Sequence, residues 1–536
     1  MDYQMAAAAA LAAAAAAAAA CSCASSSAGA AGSSTSSAEP PLAALLAAKA
    51  PALADPAAAA GACRRVFYGP VIHSLALNQL EMMHLGLLGV DAAGCVCFAV
   101  DLSDSGLTAS ELEGLRARGG PELVELGVRM LMPGFVDAHA HAPQHAFTGT
   151  ALDLPLLEWL ERYTFPHESK FKDVGHARKI YSRAVRNHLK HGTTTVSYFA
   201  TIHPAACRVL VEVCREQGQR AYVGKVNMDR NSPDHYVEET QQSLDDTRDF
   251  VEHVRSLNDP LITAVITPRF VPSCTPELMR GLAAISDEHQ LPLQSHLSEN
   301  LAECEWVRSL HPDCENYSEV YDTHGLYTSR AYMAHCVHCA RPERDLVLQK
   351  GVGIVHCPNS NFTLASGICN VREWLNEGHK VGLGTDVAGG YSPSILNAIR
   401  MARVASVATT APIVSTALLC LPPVLDFTNP RFSWRERSQG GGDLCAPCGS
   451  GGGAGGEAKH NVTLSYNEIF YLATLGGAHV MNLEAKIGNF EVGKEFDALV
   501  VNAAAPGKTP RICRLSARVP SCPLRWLPVL VCMACC

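Results

Sequence analysis

Short apolar runs rich in Val, Ile and Thr alternate with longer segments of helical periodicity through most of the chain. Near-continuous apolar strands of this kind are typical of a parallel sheet that helices cover on both faces. Eight such units close naturally into a barrel, so we predict an α/β fold with a (β/α)8 TIM-type barrel over residues 131–486. The predicted strands are 134–141, 193–201, 220–228, 261–270, 291–300, 331–337, 351–361 and 380–390.

A different pattern flanks this region. Residues 65–130 contain shorter strand-like pieces separated by Gly and Asp-Ala-Ala-Gly turns. After the barrel, residues 466–483 have helical periodicity, and residues 487–502 have the pattern of a hairpin. We predict a small β-sandwich domain built from residues 63–130 and 487–510, with the barrel inserted between its two parts.

Three further segments fit neither domain. Residues 1–62 are rich in Ala and Ser and lack the basic start of a signal peptide, which predicts a disordered or weakly helical tail. Residues 411–459 contain a flexible Gly-rich insertion. Residues 511–536 are rich in Arg and Cys and match no predicted element. They leave open either an acylated, membrane-associating tail or an unstructured product of an altered reading frame or exon.

The composition excludes several classes of protein. The chain has 536 residues, 18% of them charged, and a net charge of -9, whereas a nucleic-acid binder would usually carry a basic stripe. No strongly apolar run is long enough to span a bilayer. The 22 cysteines are scattered, as expected for reduced thiols in a cytosolic protein, which predicts a cytoplasmic location. The pairs Cys445–Cys448 and Cys532–Cys535 lie in low-complexity or terminal segments, which argues against a zinc ribbon.

Candidate chemistry begins with His139 and His141 at the end of the first predicted strand. Side chains two residues apart on a strand point to the same side, so both imidazoles share one face. On an outer face they would be two solvated histidines. On an inner face they would be part of a metal site, and further ligands should then follow other strands.

Such residues do follow other strands. His296 lies near the end of the fifth strand, His335 ends the sixth and Asp386 ends the eighth. A barrel carries its active site at the carboxyl ends of its strands, and imidazoles with one carboxylate suit Zn²⁺, with Fe²⁺ also possible. Alone, each histidine could be structural and Asp386 could cap a helix, but their recurrence favours a metal site. We assign surface or structural roles to His167, His188 and His253, and leave His356 open as a residue that could line the site.

Longer motifs make the chain similar to a known family. They are PGFVDAHAHAPQ, DLPLLEWLERYTFPHE, HGTTTVSYFATIH, ITPRF, QSHLSEN, HCPNSN, GLGTDVAGG, LATLGG and IGNFEVGKEFDA. On these motifs the chain resembles the amidohydrolase superfamily and, more closely, the guanine deaminases, over about residues 64–410 and 460–504. No lysine follows the fourth strand, where a binuclear member would use one to bridge two metals, so the chain resembles the single-metal branch.

The resemblance implies zinc-dependent hydrolytic deamination of guanine to xanthine and ammonia in purine catabolism, by a homodimer with one Zn²⁺ per subunit. Coordination lowers the pKa of water from 15.7 to about 7. We expect Asp386 to take the proton from this water and Glu299 to deliver one to a ring nitrogen. His335 should hydrogen-bond the water or the developing oxyanion. The expected metal ligands are His139, His141, His296 and Asp386.

Substrate recognition is expected from Arg269, which can donate to the purine carbonyl, from Phe270, which can cover the ring, and from Gln144, which can donate and accept. The alternative for Arg269 is a surface ion pair. The other residues expected against the substrate are His141, His296, Glu299 and Asp386.

Two alternative functions stay open. One is a related hydrolase of another purine, a pyrimidine or a triazine. The other is a non-catalytic scaffold that keeps the barrel. The insertion at 411–459 and the divergent tail at 511–536 depart from the family pattern, and we expect them to reduce solubility.

Overall fold

Strands and helices alternate along the part of the chain that the computed structural model describes, which is residues 41–117, 119–410 and 462–502 and the backbone of 511–516 and 531–532. The strands are β1 (Cys63–Ala76), β2 (Gln79–Asp91), β3 (Val96–Asp101), β4 (Glu122–Glu125), β5 (Met130–Pro133), β6 (Phe135–His141), β7 (Thr193–Phe199), β8 (Arg220–Gly224), β9 (Val226–Asn227), β10 (Ile262–Ala264), β11 (Thr267–Pro268), β12 (Leu293–Leu297), β13 (Ala331–His335), β14 (Gly353–His356), β15 (Val381–Leu383), β16 (Asp497–Asn502), β17 (Arg511–Ser516) and β18 (Val531–Cys532).

The helices lie mostly between these strands. The α-helices are α1 (Pro41–Lys49), α2 (Pro56–Ala62), α3 (Ala109–Arg116), α4 (Leu156–Trp159), α5 (Phe165–Glu168), α6 (Val174–Lys190), α7 (Pro204–Gln217), α8 (Thr240–Ser256), α9 (Pro276–His289), α10 (Leu301–Leu310), α11 (Tyr317–Thr323), α12 (Arg341–Lys350), α13 (Pro358–Thr363), α14 (Val371–Asn376), α15 (Ile395–Thr410), α16 (Tyr466–Ala473) and α17 (Leu475–Val480). A π-helical turn, Leu160–Thr164, joins α4 to α5.

The parallel strands form two four-stranded sheets, in the orders β10-β8-β7-β6 and β12-β13-β14-β15. Each of the eight predicted segments contains a strand, which makes the chain a mixed α/β protein. The third and fourth segments are each split in two, and their second pieces, β9 and β11, pair with each other. The largest hydrophobic core lies among these strands and the helices around them.

Single contacts link the two parallel sheets. On one side, the Gln294 N–H donates to the carbonyl oxygen of Ile266 over 2.9 Å. On the other side, the Asp386 N–H donates to the carbonyl oxygen of His139 over 2.9 Å, and the His141 N–H donates to that of Val387 over 3.0 Å. The strands therefore form two linked sheets, and the described strands do not pair into one closed barrel.

A separate mixed sheet has the order β18-β17-β16-β5-β1-β2-β3, with β4 paired to β1. The hairpin predicted over 487–502 is wrong, because only β16 is a strand and its partners are β5 and β17. Gly488 and Gly493 have φ values of 100° and 90°, so the chain turns where the first hairpin strand was expected. The prediction that 511–536 holds no element is also corrected, because the backbone of β17 pairs along β16. The second layer of the predicted sandwich is not found in the part of the chain described here.

The tail predicted over residues 1–62 as disordered or weakly helical is helical in its last part, and the disordered alternative is wrong there. Residues 41–62 form α1 and α2, whereas residues 1–40 lie outside the described ranges. Leu42, Leu45 and Leu46 are buried in one cluster with Phe98 and Leu115. Their spacing of three and four residues puts all three leucines on one face of the helix, and burying that face stabilises α1 despite the alanine-rich composition.

The remaining sequence predictions concern the C-terminal helix, the cysteines and the membrane. The helix predicted over 466–483 is interrupted at Thr474 and forms α16 and α17. The cysteines that the structure describes with their side chains are free thiols. Among the described helices, none has the length and apolarity needed to cross a membrane. The insertion at 411–459 and the Cys445–Cys448 pair lie outside the described residues.

Candidate active site

The ends of the parallel strands bring a group of buried histidines around one carboxylate. His139 and His141 lie on β6, and their Nε2 atoms are 3.2 and 3.4 Å from Oδ1 of Asp386, which follows β15. The His141 Nε2 atom is also 3.2 Å from the Nε2 atom of His296 on β12. His139 and His141 were predicted to share one face of the strand. That face is the inner one, where both side chains lie close to residues from other strands.

His335, at the end of β13, belongs to the same group. One potential ligand atom from each of His139, His296, His335 and Asp386 lies within 4.8 Å of the others. The four ligands expected from the sequence include His141, whereas this group has His335 instead. His141 still contacts Asp386 and His296. The structure thus brings together the four expected metal ligands and adds a fourth imidazole.

Hydrogen bonds at the Nδ1 atoms orient two of these imidazoles. The His296 Nδ1 atom lies 2.6 Å from the carbonyl oxygen of Arg269, and the His335 Nδ1 atom lies 2.9 Å from Oδ1 of Asn361. Both acceptors favour a proton on Nδ1, which leaves each Nε2 lone pair directed at the cluster. The Nε2 atoms of His139 and His335 are buried and lack a hydrogen-bond partner. Unpartnered ring nitrogens around a carboxylate fit a transition-metal ion such as zinc.

Burial and the neighbouring charges favour neutral imidazoles and an ionised carboxylate in the cluster. Burial lowers the pKa of His139, and lowers the pKa of both His141 and His296 well below its usual value. Burial would raise the pKa of Asp386, but the contact with His139 and the nearby His335 outweigh it and lower this pKa. Neutral imidazoles beside an ionised carboxylate are the metal-binding forms of these side chains.

Asp137, which the sequence analysis did not single out, holds the two ends of the cluster together. Its Oδ1 atom accepts from the N–H of Thr385 over 3.0 Å and from the N–H of His139 over 3.2 Å. Its Oδ2 atom accepts from Oγ1 of Thr385 over 2.5 Å. The residue after Thr385 is Asp386, whose φ of 47° is uncommon for a non-glycine residue. The buried acid in FVDAHAH was the available signal, since a buried carboxylate must be paired.

Glu299 lies at the edge of the cluster, on the loop after β12. Its Oε2 atom is 3.5 Å from Nε2 of His335, and its Oε1 atom accepts from Oγ of Ser366 over 3.1 Å. Burial raises the pKa of Glu299 to about 7, although His335 opposes this shift. A carboxyl group of this kind can both accept and release a proton near neutral pH.

Two of the residues expected to recognise the substrate, Arg269 and Gln144, meet at another buried carboxylate, that of Glu168. The guanidinium of Arg269 donates to both oxygens of Glu168, over 2.7 and 3.2 Å, and Nε2 of Gln144 donates to Oε1 over 2.9 Å. Arg269 is buried, so its ion pair is not the surface pair considered from the sequence. The sequence analysis quoted Glu168 within FPHE but assigned it no role. Other charged residues surround it in LERYTFPHESKFK, so no local signal in the sequence set this acid apart.

A pocket lies above the cluster. Its walls include metal-site residues, the recognition residues and a set of apolar side chains from the segment around α4. All the expected substrate-binding residues line it. The lining consists of His141, Gln144, Leu156, Trp159, Leu160, Arg269, Phe270, His296, Glu299, Glu303, His335, Leu364 and Asp386.

The other histidines considered from the sequence lie outside this cavity lining. His356 is buried at the end of β14, and neither of its ring nitrogens has a hydrogen-bond partner. His188 is buried with Nε2 3.5 Å from Oδ2 of Asp137, which is a structural contact behind the cluster. The His167 ring packs against that of Phe147, tilted by 36° with ring centroids 4.6 Å apart, on the segment beside the cavity.

Comparisons with known proteins agree with this architecture. A family model described as "Amidohydrolase family" matches residues 130–415 and 453–520. A guanine deaminase of Dictyostelium discoideum is 41% identical over 453 residues, which are 82% of this chain and 88% of that protein. A guanine deaminase of Mus musculus is 42% identical over 442 residues, which are 82% of this chain and 87% of that one.

A solved structure extends the comparison to the fold. The crystal structure of a guanine deaminase from C. acetobutylicum, with guanine bound in its active site, has a TM-score of 0.68 and 34% sequence identity to this chain. It covers 82% of this chain and 90% of that one. The family match, the full-length relatives and the buried His–Asp cluster agree, and the chain belongs to the amidohydrolase family, on its guanine deaminase branch.

Proposed function

We propose that this chain catalyses the hydrolytic deamination of guanine to xanthine and ammonia, as an enzyme of purine catabolism. The observation that carries the proposal is the pairing of a buried His–Asp cluster with Glu299 beneath a pocket that all the expected substrate-binding residues line. Guanine deaminases of 41% and 34% identity match this chain over most of their length.

We propose one Zn²⁺ per subunit, held by His139, His141, His296 and Asp386. Neutral imidazoles with one carboxylate are a donor set that zinc accepts, and Fe²⁺ is the less favoured alternative. A zinc ion bound there would act as a Lewis acid that lowers the pKa of a water molecule to about 7. The unpartnered Nε2 atom of His139 supports the site.

Two side chains would move protons around the reacting carbon, a third would hydrogen-bond the developing oxyanion, and the amino group would leave as ammonia with the proton that Asp386 took from the water. Asp386 accepts the proton of the attacking water, because its lowered pKa keeps it ionised beforehand. Glu299 delivers a proton to the ring nitrogen next to the carbon that carries the amino group. His335 donates a hydrogen bond to the developing oxyanion, a role that its raised pKa favours: burial would lower this pKa, but Glu299 and Asp386 outweigh it.

Recognition would fall to Arg269, Gln144 and Phe270. Arg269 retains N–H groups beyond the two that bind Glu168, and these can donate to the purine carbonyl. Gln144 offers an amide edge to the ring, and Phe270 covers a face of it. A purine without the carbonyl would leave the Arg269 donors unpaired in a dry pocket, which discriminates strongly.

We further propose that the two parallel sheets belong to one eight-stranded barrel over residues 131–486, and that 63–130 with 487–510 form the small β domain. The backbone hydrogen bonds at Ile266 and at His139 support closure on both sides. A homodimer and a cytosolic location complete the proposal. The free thiols support a reducing compartment, and light scattering after gel filtration would test the dimer.

A substrate panel tests the proposed reaction against its alternatives. We expect ammonia release from guanine and little from adenine, cytosine or an aminotriazine. Faster turnover of one of those compounds than of guanine would show a different hydrolase. A chain that binds zinc and guanine but releases no ammonia would be the non-catalytic scaffold.

A further inference from the structure

The carboxylate of Glu168 is the point at which the purine-recognition side chains meet. Its Oε1 atom accepts from Nε2 of Gln144 and from one guanidinium nitrogen of Arg269, over 2.9 and 3.2 Å. Its Oε2 atom accepts from the other terminal nitrogen of Arg269 over 2.7 Å and from the hydroxyl of Tyr236 over 2.8 Å. Both oxygens are thus saturated by donors that come from three separate segments of the chain.

These contacts determine which groups remain for a ligand. Glu168 takes one N–H of the Gln144 amide, and the Gln144 oxygen accepts from the N–H of Ala388 over 3.1 Å. The amide therefore has one defined orientation, with one N–H and one lone pair left free. The guanidinium of Arg269 is fixed as a two-point pair, and its other N–H groups point away from Glu168.

Glu168 also removes a charge from the cavity wall. It is fully buried, and Arg269 is 2% exposed, so water screens neither group. Burial would lower the pKa of Arg269, but Glu168 outweighs it and raises this pKa. The pair is neutral as a unit, whereas Arg269 alone would present a full positive charge to the ligand.

We propose that Glu168 is a positioning and specificity-determining residue, which fixes the donors of Arg269 and Gln144 and cancels the arginine charge so that the cavity prefers a neutral purine to an oxopurine anion. The inference rests on the proposed function, because it concerns the same cavity. Xanthine, the product of that reaction, loses a proton more readily than guanine does. A neutral wall therefore favours substrate over the ionised product and assists product release.

The electrostatic surroundings of the pair are the same in E168Q and in the unaltered chain. The titratable groups that interact with Glu168 or Arg269 come from several elements, and the comparison must hold all of them constant. They are His141, Tyr181, His203, Tyr236 and Asp386. Since none of these is altered by a change at position 168, a difference between E168Q and the unaltered chain reports the charge removed.

The experiment measures kcat and KM for guanine, and inhibition by xanthine at mildly acidic and mildly alkaline pH, in the zinc-loaded chain and in E168Q. Losing the charge-assisted bonds should raise KM for guanine about tenfold with a smaller change in kcat. The affinity of E168Q for xanthine should rise as xanthine ionises. This rise should be about tenfold larger than the change measured for the unaltered chain. The Tyr236→Phe variant is the matched control, because it removes one bond to Oε2 and keeps the charge; its xanthine preference should stay within about twofold.

Two results would overturn the inference. One is a KM for guanine in E168Q equal to that of the unaltered chain. The other is equal pH dependence of xanthine inhibition in both proteins, which would leave Glu168 with a merely structural role. Failure of the unaltered chain to deaminate guanine would instead contradict the proposed function, and xanthine titration by calorimetry would still test Glu168.

An uncompensated buried arginine could prevent E168Q from folding. In that case R269Q and the double variant E168Q/R269Q carry the same test. R269Q keeps the negative charge of Glu168, so its xanthine affinity should fall by about tenfold as xanthine ionises. The double variant removes the charge of Glu168, so its affinity for xanthine should not fall as xanthine ionises. An equal fall in xanthine affinity in both variants would contradict the inference.

Discussion

The backbone N–H of Asp386 donates to the carbonyl oxygen of His139 over 2.9 Å, so the first and the last parallel strands meet at the metal-competent cluster. The side chains of the same two residues lie 3.2 Å apart, from Nε2 to Oδ1. One backbone bond therefore sets the distance between two proposed ligands. Substitutions that weaken the contact between these two strands should therefore lower metal affinity more than they lower substrate affinity.

Asp137→Asn should weaken this contact between the two strands. The carboxylate accepts from the backbone and the hydroxyl of Thr385, and an amide would place N–H groups against one of these donors. We expect zinc affinity to fall about 10- to 100-fold, as for other residues that orient metal ligands. Competition with a fluorescent zinc chelator measures it. Asp245→Asn, an exposed change on α8, is the control, and equal zinc affinity in both variants would contradict the role of Asp137.

Glu299→Gln should separate proton transfer from metal binding. The amide keeps the size of the side chain and cannot carry the proton, so kcat for guanine should fall roughly 100- to 10,000-fold with zinc content unchanged. Glu305→Gln, an exposed change on the helix that follows, should keep the native rate. Native turnover in the first variant would show that another group moves the proton.

The roles of His141 and His335 can be distinguished by metal content. We propose His141 as a ligand and His335 as the donor to the oxyanion, although His335 lies within 4.8 Å of the other ligand atoms. His141→Ala should lose most of its zinc on dialysis, whereas His335→Ala should keep it and lose turnover. Elemental analysis of the dialysed proteins decides between them, and the reverse outcome would exchange the two roles.

The N-terminal helix α1 should contribute to stability. Leu46 is fully buried against the mixed-sheet core, so Leu46→Ala should lower the free energy of unfolding by about 3 kcal/mol. Ala47 is exposed on the same helix, and Ala47→Ser should change it by less than about 0.5 kcal/mol. Urea unfolding curves compare the two, and similar midpoints would mean that α1 is not packed in solution.

The sequence predicted the parallel strands and the site better than it predicted the ends of the chain. Strands buried on both faces consist almost entirely of apolar residues, so apolar β-branched runs indicate where they lie. Polar residues at the ends of such runs are then easy to recognise. His139, His296 and Asp386 were visible for this reason. Glu168 and Asp137 were missed because each acts through contacts with residues that are distant in sequence, and the local sequence around an acid does not show those partners.

The errors near the termini have the same origin. Residues 41–49 were grouped with a low-complexity tail, because an alanine-rich composition hid the three leucines of one helix face. The pairing of β16 with β17 depends on a partner beyond a segment without a strand signal. Local patterns predict an element, whereas register and partners follow from tertiary packing.

The most direct test measures ammonia release from guanine and the zinc content on one sample of purified chain. The account predicts ammonia and xanthine in equal amounts, about one zinc ion per chain, loss of activity on chelation and recovery on adding zinc. Ammonia release that persists after the metal is removed, or no release from guanine by the zinc-loaded chain, would contradict it.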